Sequence, residues 1–183
     1  MKGQDNQASD DDALMAGVGA RDPAAFAELV RRHLDAVHGY LYRLCGSRDD
    51  ADDLAQDTFL RVWARAETWR PGAVRVTTWL HRIAHNIWVD TRRRARSMPL
   101  EDPEGVLDPA PGADAGLREQ RALTQVDHAL RALPTAQRAA ILLAEVRGFS
   151  NPDIAAVLGT SVRAVESLLG RARRQLRDLL EET

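Results

Sequence analysis

Residues 150–177 read SNPDIAAVLGTSVRAVESLLGRARRQLR. The Asn-Pro start and the apolar residues at helical spacing predict a short helix over 151–158. Gly159 tolerates the positive φ that a tight turn needs, and Thr160-Ser161 can cap a second helix over 162–182. This pattern is typical of a helix-turn-helix, whose second helix enters the major groove of duplex DNA.

The second helix of this motif has one apolar face and one polar face. Contacts to phosphates orient a protein on DNA, whereas contacts to base edges select the sequence. We expect Ser161 and Arg174 to bind phosphates. The side chains expected to reach base edges are Arg163, Glu166, Ser167 and Arg171. A helical hairpin with a solvated basic end is the structural alternative.

The remainder of the chain also has helical periodicity, and no segment alternates as a strand does. Asp22-Pro23 begins a helix that Gly46 ends, and Ser47 caps another that runs to about Ala66. After a loop over 68–78, a third helix begins near Thr78 and continues to about Arg96. Further helices are predicted over 117–132 and 135–147.

Composition divides the chain into segments. Residues 1–12 are polar and acidic and predict a disordered tail. Residues 99–116 contain four prolines and three glycines, which indicates a flexible acidic linker. The predicted fold class is therefore all-α: two small helical domains, over 13–98 and 117–183, with the helix-turn-helix in the second.

The charges are segregated along the 183 residues, although the formal net charge is only −2. Residues 61–98 contain nine basic and two acidic side chains, whereas residues 1–60 contain six and twelve. A concentrated basic block favours contact with a polyanion, although a solvated arginine-rich face has the same pattern. No apolar run approaches the roughly 20 residues of a membrane helix, and a single cysteine excludes an internal disulfide. We expect a cytoplasmic protein.

The basic block also contains every tryptophan: Trp63, Trp69, Trp79 and Trp88. Bases of single-stranded nucleic acid stack on aromatic rings while arginines follow the backbone. Trp79 is the best candidate for a wedge against a base pair, and the run Arg92-Arg93-Arg94 is the expected phosphate clamp. For each tryptophan taken alone, a place in the core is the commoner role.

Enzyme chemistry has weak support in the sequence. His81 and His85 have the spacing of a zinc helix, but Arg82 occupies the position of the general base and would repel a cation. We expect surface histidines, no metal, no cofactor and no catalytic residue. The carboxylates at 49, 50, 52, 53 and 57 favour a solvated or protein-docking face over a magnesium site.

Three segments together resemble a known family. They are residues 50–63 (DADDLAQDTFLRVW), residues 78–86 (TWLHRIAHN) and the helix-turn-helix ending GRARRQL at 170–176. In this order and spacing they resemble bacterial RNA polymerase sigma factors of the sigma-70 family. The small two-domain form is similar to the extracytoplasmic-function (ECF) group, with region 2 over 13–98 and region 4 over 117–183.

The resemblance implies a transcription initiation factor that binds core RNA polymerase and opens a restricted set of promoters, without catalysing a reaction or binding a small-molecule substrate. It implies docking on the β′ clamp coiled coil and the β flap, and control by an anti-sigma factor, which could hold the chain at the inner membrane face. The implied docking residues are Asp53, Gln56, Asp57 and Trp63. The implied minus-ten residues are Arg70, Gly72, Arg75, Thr78, Trp79, Arg82 and Asn86, and the helix starting at Val162 would read the minus-thirty-five element.

This sequence departs from the family pattern at two places. The loop over 70–78 lacks the aromatic residue that relatives often have, and the recognition helix has Glu166, Leu168 and Gly170 where basic and aromatic residues are common. The minus-thirty-five preference should therefore differ from that of relatives. A stand-alone helix-turn-helix regulator of duplex DNA is the alternative function, but it leaves the acidic and tryptophan-rich helices of the first half without a role.

Overall fold

A computed structural model describes residues 2–97 and 117–181, and these residues form helices without any strand. The predicted linker over 99–116 lies outside the described residues. The helices are α1 (Lys2–Gly19), α2 (Pro23–Cys45), α3 (Arg48–Arg65), α4 (Val76–Ser97), α5 (Leu117–Ala132), α6 (Thr135–Arg147), α7 (Asn151–Leu158) and α8 (Val162–Glu181), with a short 3₁₀ turn over Ala66–Thr68. The all-α prediction is confirmed, and the predicted ends of α2 to α8 agree within two residues.

Local capping explains these boundaries. The Asp22 carboxylate accepts a hydrogen bond from the Ala24 amide at 2.8 Å, and the Ser47 hydroxyl accepts one from the Asp50 amide at 3.2 Å. Both bonds satisfy amides that the first helical turn leaves without a partner. Gly46 and Gly159 have φ values of +81° and +63°, so each ends its helix in the left-handed conformation that glycine adopts most readily.

The first helix differs from the predicted disordered tail over 1–12, because the described residues from Lys2 onward are helical. Asp11 is only 4% exposed, and its carboxylate pairs with His33 Nε2 at 3.0 Å and with Arg32 at 3.3 Å. Met15 and Val18 are buried in the same core. Partners on α2 therefore stabilise a segment whose own composition is that of a solvated tail.

Gly17 allows this close packing of α1 on α2. A Cβ at this position would lie 2.7 Å from Ala25 Cβ, which is far inside van der Waals contact. We expect Gly17→Ala to lower the free energy of unfolding by about 1–3 kcal/mol, as overpacking does. Urea unfolding measures the loss. Gly39→Ala is the matched control, because nothing lies within 4 Å of a Cβ there and alanine should be neutral or stabilising by up to about 1 kcal/mol. Equal effects of the two changes would contradict the packing argument.

The two helical regions pack against each other. Helices α2, α3 and α4 form the first with α1 across one side, and α5 to α8 form the second. Helix α7 lies on α4, and α6 lies on α2, so one continuous apolar core joins both regions. The helix-turn-helix is thereby placed directly over the N-terminal half of α4.

His81 and His85 lie inside this core, so the prediction of surface histidines was wrong. They are 2% and 9% exposed. The His81 Nδ1 atom hydrogen-bonds the Thr77 carbonyl at 2.8 Å, and the Tyr40 hydroxyl hydrogen-bonds His85 Nδ1 at 2.9 Å. Among the described residues, no group of three histidine, cysteine or carboxylate side chains could hold a metal ion. Both histidines face inward because they share the apolar stripe of α4 with Leu80, Ala84 and Ile87.

Candidate polymerase and nucleic-acid interfaces

The outer face of α3 is acidic and exposed. Asp53, Gln56 and Asp57 all point to solvent, as the sequence predicted. Leu60 follows them on the same face and is 56% exposed, the largest exposed fraction among the large hydrophobic side chains of the described residues. The face therefore combines negative charge with an accessible apolar side chain, a combination suited to docking a protein that has a basic surface.

A groove of about 570 Å³ runs beside this face, between α2 and α3. The groove has a second exposed leucine, Leu34, which continues the apolar stripe of α2 at helical spacing, so periodicity alone does not predict its exposure. The structure leaves it 39% exposed, across the groove from Leu60. The residues that line the groove are Phe26, Val30, Leu34, Asp35, His38, Arg48, Asp52, Ala55, Gln56, Phe59 and Leu60.

Trp63 is less exposed than the acidic residues that precede it. Its ring packs edge-on against Phe26, with the centroids 5.0 Å apart. Arg21 donates a hydrogen bond to the Trp63 carbonyl at 2.7 Å and places its guanidinium 5.6 Å from the ring centroid. Trp63 therefore anchors the α1–α2 junction to α3, and it reaches the groove only through its contact with Phe26.

The other three tryptophans are mainly structural. Trp69 and Trp88 belong to the core, at 6% and 2% exposure. Trp79 is half-buried, and its ring meets Trp69 edge-on with the centroids 5.7 Å apart. Of Trp69, Trp79 and Trp88, only Trp79 is partly accessible to solvent. A role as a wedge against a base pair is therefore compatible with Trp79 and not with the other two.

Some polar and basic residues around α4 are exposed to solvent, and others are engaged in contacts within the protein. Arg82 and Asn86 are exposed on one face of α4, as expected. Arg70 is exposed at the loop, where its guanidinium donates to the carbonyls of Glu67 and Trp69, and Gly72 turns the loop with a φ of +76°. Arg93 is exposed and pairs with Asp90 at 3.1 Å.

Arg92 is half-buried and does not extend freely into solvent. Its guanidinium lies 5.5 Å from the Trp88 centroid, and its Nη1 atom is 3.3 Å from the Thr135 hydroxyl of α6. Within the expected phosphate clamp, Arg93 is therefore more accessible than Arg92, because Arg92 takes part in the contact between the two helical regions.

Arg75 and Thr78 are bound by the second helical region. Arg75 Nη2 lies 2.7 Å from one carboxylate oxygen of Asp153, and the Thr78 hydroxyl donates to the other at 3.0 Å. Thr78 is only 1% exposed. Beside this contact, Arg82 and Asn86 border an open cleft of about 360 Å³ whose other wall comprises Ala155, Ala156, Val157, Gly159 and Thr160 of the helix-turn-helix.

The outward face of α8 is open. Ser161 caps the helix, since its hydroxyl accepts from the Ala164 amide at 3.2 Å. Arg171 folds back loosely, with its Nε donating to the Ser167 carbonyl at 3.3 Å. Val165, Leu169 and Ala172 bury the opposite face. The six polar residues that the sequence analysis assigned to this face are all exposed: Ser161, Arg163, Glu166, Ser167, Arg171 and Arg174.

None of the described helices is long and apolar enough to cross a membrane. The model of Sigma-70 region 2 matches residues 29–98, and that of Sigma-70 region 4 matches residues 123–176. These spans contain the acidic face of α3, the exposed residues of α4 and the helix-turn-helix. Residues 1–28, including all of α1, precede the region 2 match.

Named relatives agree with these matches. The chain is 36% identical over 178 residues to the ECF RNA polymerase sigma factor SigM of Mycobacterium tuberculosis, covering 96% of this chain and 86% of SigM. It is 39% identical over 158 residues to the ECF sigma factor SigE of Mycolicibacterium smegmatis, covering 84% of this chain but 60% of SigE.

Solved structures show the same architecture. CnrH in complex with the cytosolic domain of CnrY superposes with a TM-score of 0.73 at 31% identity, covering 94% of this chain and 98% of CnrH. The sigma factor RpoE bound to the anti-sigma factor NepR, from Bartonella quintana, superposes with a TM-score of 0.68 at 29% identity, covering 85% and 96%. The chain belongs to the ECF group of the sigma-70 family of RNA polymerase sigma factors, which are transcription initiation factors.

Proposed function

We propose that this chain binds core RNA polymerase through α3 and its groove, reads the minus-ten element through the 70–78 loop and α4, and reads the minus-thirty-five element through α8. The observation that supports this division most directly is the exposure of two unlike surfaces on one chain. The α3 face is acidic and the α8 face is basic and polar, so the first suits a protein partner and the second suits DNA.

For the polymerase, we propose that the β′ clamp coiled coil lies along α3. Asp53, Gln56 and Asp57 supply charge and hydrogen bonds, while Leu34 and Leu60 at the two sides of the groove supply apolar contact. A central apolar contact with a polar rim is the usual anatomy of a specific interface. The β flap is the proposed partner of the second helical region.

For promoter opening, we propose that Arg70, Arg82, Asn86 and Arg93 approach the displaced strand and that Trp79 supports the upstream edge of the melted segment. A base cannot be read fully while it is stacked, so the family mechanism extrudes one into a loop pocket. The 70–78 loop lacks an aromatic residue, so backbone groups around Gly72 and the side chains of Arg75 and Thr78 would hold that base.

The recognition helix supplies a sharp test of minus-thirty-five reading. We expect Arg171→Ala to weaken binding to minus-thirty-five duplex by about 1–3 kcal/mol, because an arginine that meets a guanine edge contributes that much discrimination. Fluorescence anisotropy with the duplex measures the loss, and core binding should persist. Arg173→Ala removes the same charge from a residue that faces Glu145 at 3.8 Å, and its loss should be smaller and independent of sequence. Similar losses would show that Arg171 contacts phosphate only.

We further propose that the chain acts in the cytoplasm, where polymerase and chromosome meet, and that an anti-sigma factor restrains it. The solved complexes of CnrH with CnrY and of RpoE with NepR support this proposal, because both neighbours superpose along most of this chain. We propose no catalytic role and no small-molecule substrate, since the interfaces described here are suited to macromolecules.

Transcription in vitro from fragmented genomic DNA of the source organism tests the whole proposal. Purified core polymerase is assayed with and without the chain, and transcript starts are mapped by sequencing. We expect new starts that share two upstream elements. If core gains no starts and the chain does not comigrate with it, the proposal fails, and a stand-alone regulator of duplex DNA becomes the better function.

A further inference from the structure

Asp153 makes two kinds of contact at the start of α7. Within its own helix it forms a capping box: its amide donates to the Ser150 hydroxyl at 3.3 Å, and its carboxylate accepts from the Ser150 amide at 3.1 Å. Across the interface, the same carboxylate accepts from Thr78 at 3.0 Å and pairs with Arg75 at 2.7 Å. The capping box accounts for an aspartate at position 153, but it does not require the contacts with Thr78 and Arg75.

The carboxylate is in its charged form at neutral pH. Burial disfavours that form, but the hydrogen bonds from Ser150 and Thr78 and the charge of Arg75 outweigh burial, so the pKa of Asp153 lies below its usual value. Asp153 therefore presents a fixed negative charge to the side of α4 that also carries Arg82 and Asn86.

An aromatic contact covers the same side of α4. Phe149 is 6% exposed, its ring lies edge-on to His81 with the centroids 5.0 Å apart, and the Arg75 guanidinium lies 5.7 Å from its centroid. Arg75 is thus held by a carboxylate and a ring, both from the loop and helix that precede the recognition helix. The outward face of α8 stays exposed in the same arrangement.

We infer that Asp153 is an intramolecular latch that occupies Arg75 and Thr78 in the free chain and is displaced when DNA reaches α4. The inference rests on the proposed function, in which these two residues contact the minus-ten strand. A carboxylate and a backbone phosphate are both anionic acceptors for arginine and a hydroxyl, so the same donors cannot be fully bonded to both. The closed arrangement therefore occupies Arg75 and Thr78, two of the proposed minus-ten residues, while leaving the minus-thirty-five helix accessible.

The contact is suited to release. The Arg75 side chain is 46% exposed, so salt and water weaken its pairing with Asp153. An ion pair of this kind contributes modestly to stability, which allows polymerase and DNA to open the arrangement without unfolding either helical region. Rising salt should accordingly shift the wild-type chain only part of the way towards the open arrangement, because the apolar contacts of α7 on α4 remain.

The test compares Asp153→Asn with Glu145→Gln in the free full-length chain. Both changes remove one negative charge from the second helical region, but among the described residues the ion pair of Glu145 is with the exposed Arg173 and not with α4. Small-angle X-ray scattering measures opening, against the radius of gyration of about 16 Å expected for a compact chain of this length. Hydrogen exchange measures the protection of α4. We expect Asp153→Asn to raise the radius and the exchange rate over residues 76–86, and Glu145→Gln to match wild type.

DNA binding is measured on the same proteins with a labelled single-stranded oligonucleotide of random sequence. Asp153→Asn should bind at least about fivefold more tightly than wild type and Glu145→Gln, which is the lower end of ordinary coupling between sites. Arg75→Gln is a second route to the open form that leaves the cap of α7 intact, and it should open the chain without the gain in DNA binding.

The possible failures are distinguishable. If scattering and exchange are unchanged in both Asp153→Asn and Arg75→Gln, the latch is overturned, whereas the DNA role of Arg75 and Thr78 still stands. If both variants open but Asp153→Asn binds DNA no more tightly, competition with DNA is overturned together with the DNA role proposed for these two residues.

Discussion

Reversing the charge of Asp53 and Asp57 together, by Asp53→Lys with Asp57→Lys, should lower the affinity for core RNA polymerase by at least about 100-fold. Both side chains are exposed on α3, and like charges brought together at an interface cost several kcal/mol. Affinity is measured by titrating labelled core polymerase with the variant. The helical content of the variant should not change, because the described contacts include no hydrogen bond or ion pair from the side chain of Asp53 or Asp57.

The matched control places the same charge change on α1. Asp10→Lys with Asp12→Lys should leave core affinity within a few-fold of wild type, since these residues lie outside the region 2 match that begins at residue 29. An unchanged affinity in the α3 variant would exclude this face as the docking surface. Equal losses in both variants would show that core responds to net charge and not to a particular face.

Acidification from pH 6.5 to pH 5 should lower the free energy of unfolding by about 2 kcal/mol through the protonation of His85 alone. Burial lowers the pKa of His85 from 6.5 to about 4, so the folded state holds the neutral ring while the unfolded state takes up a proton. Its full contribution is present above pH 6.5 and is lost as the pH falls towards 4. The Tyr40 hydroxyl can donate to the neutral ring at Nδ1, because burial raises the pKa of Tyr40 and keeps its proton in place.

Urea unfolding at several pH values measures this loss. His85→Gln is the informative variant, since its amide can still accept from Tyr40 but cannot titrate, and it should flatten the pH dependence between 6.5 and 5. Glu28 is separated from this window, because hydrogen bonds from Arg31 and Arg32 lower its pKa to about 2 and its contribution is lost mainly below pH 5. An undiminished slope in the variant would assign the acid sensitivity to another group.

Local sequence determined most of the helices and the exposed polar face of α8. Three of the predicted boundaries rest on a cap within a few residues: Asp22 before α2, Ser47 before α3, and Gly159 between α7 and α8. The exposed residues of α8 follow from helical periodicity, because its apolar positions have a single face to bury. The acidic face of α3 is predictable for the same reason. These features depend on interactions between neighbours in the chain.

Tertiary packing decided the features whose causes lie far apart in sequence. Helix α1 packs on α2 because Asp11 finds partners there, 21 and 22 residues away. His81 and His85 are buried because α2 and the Phe149 ring close over a stripe that periodicity alone leaves ambiguous between core and surface. The local sequence around Arg75 and Thr78 predicts exposed DNA-binding residues. In the structure both bind Asp153, which is 78 and 75 residues away in the sequence. No local pattern encodes such a pairing, since it forms only when α7 packs on α4.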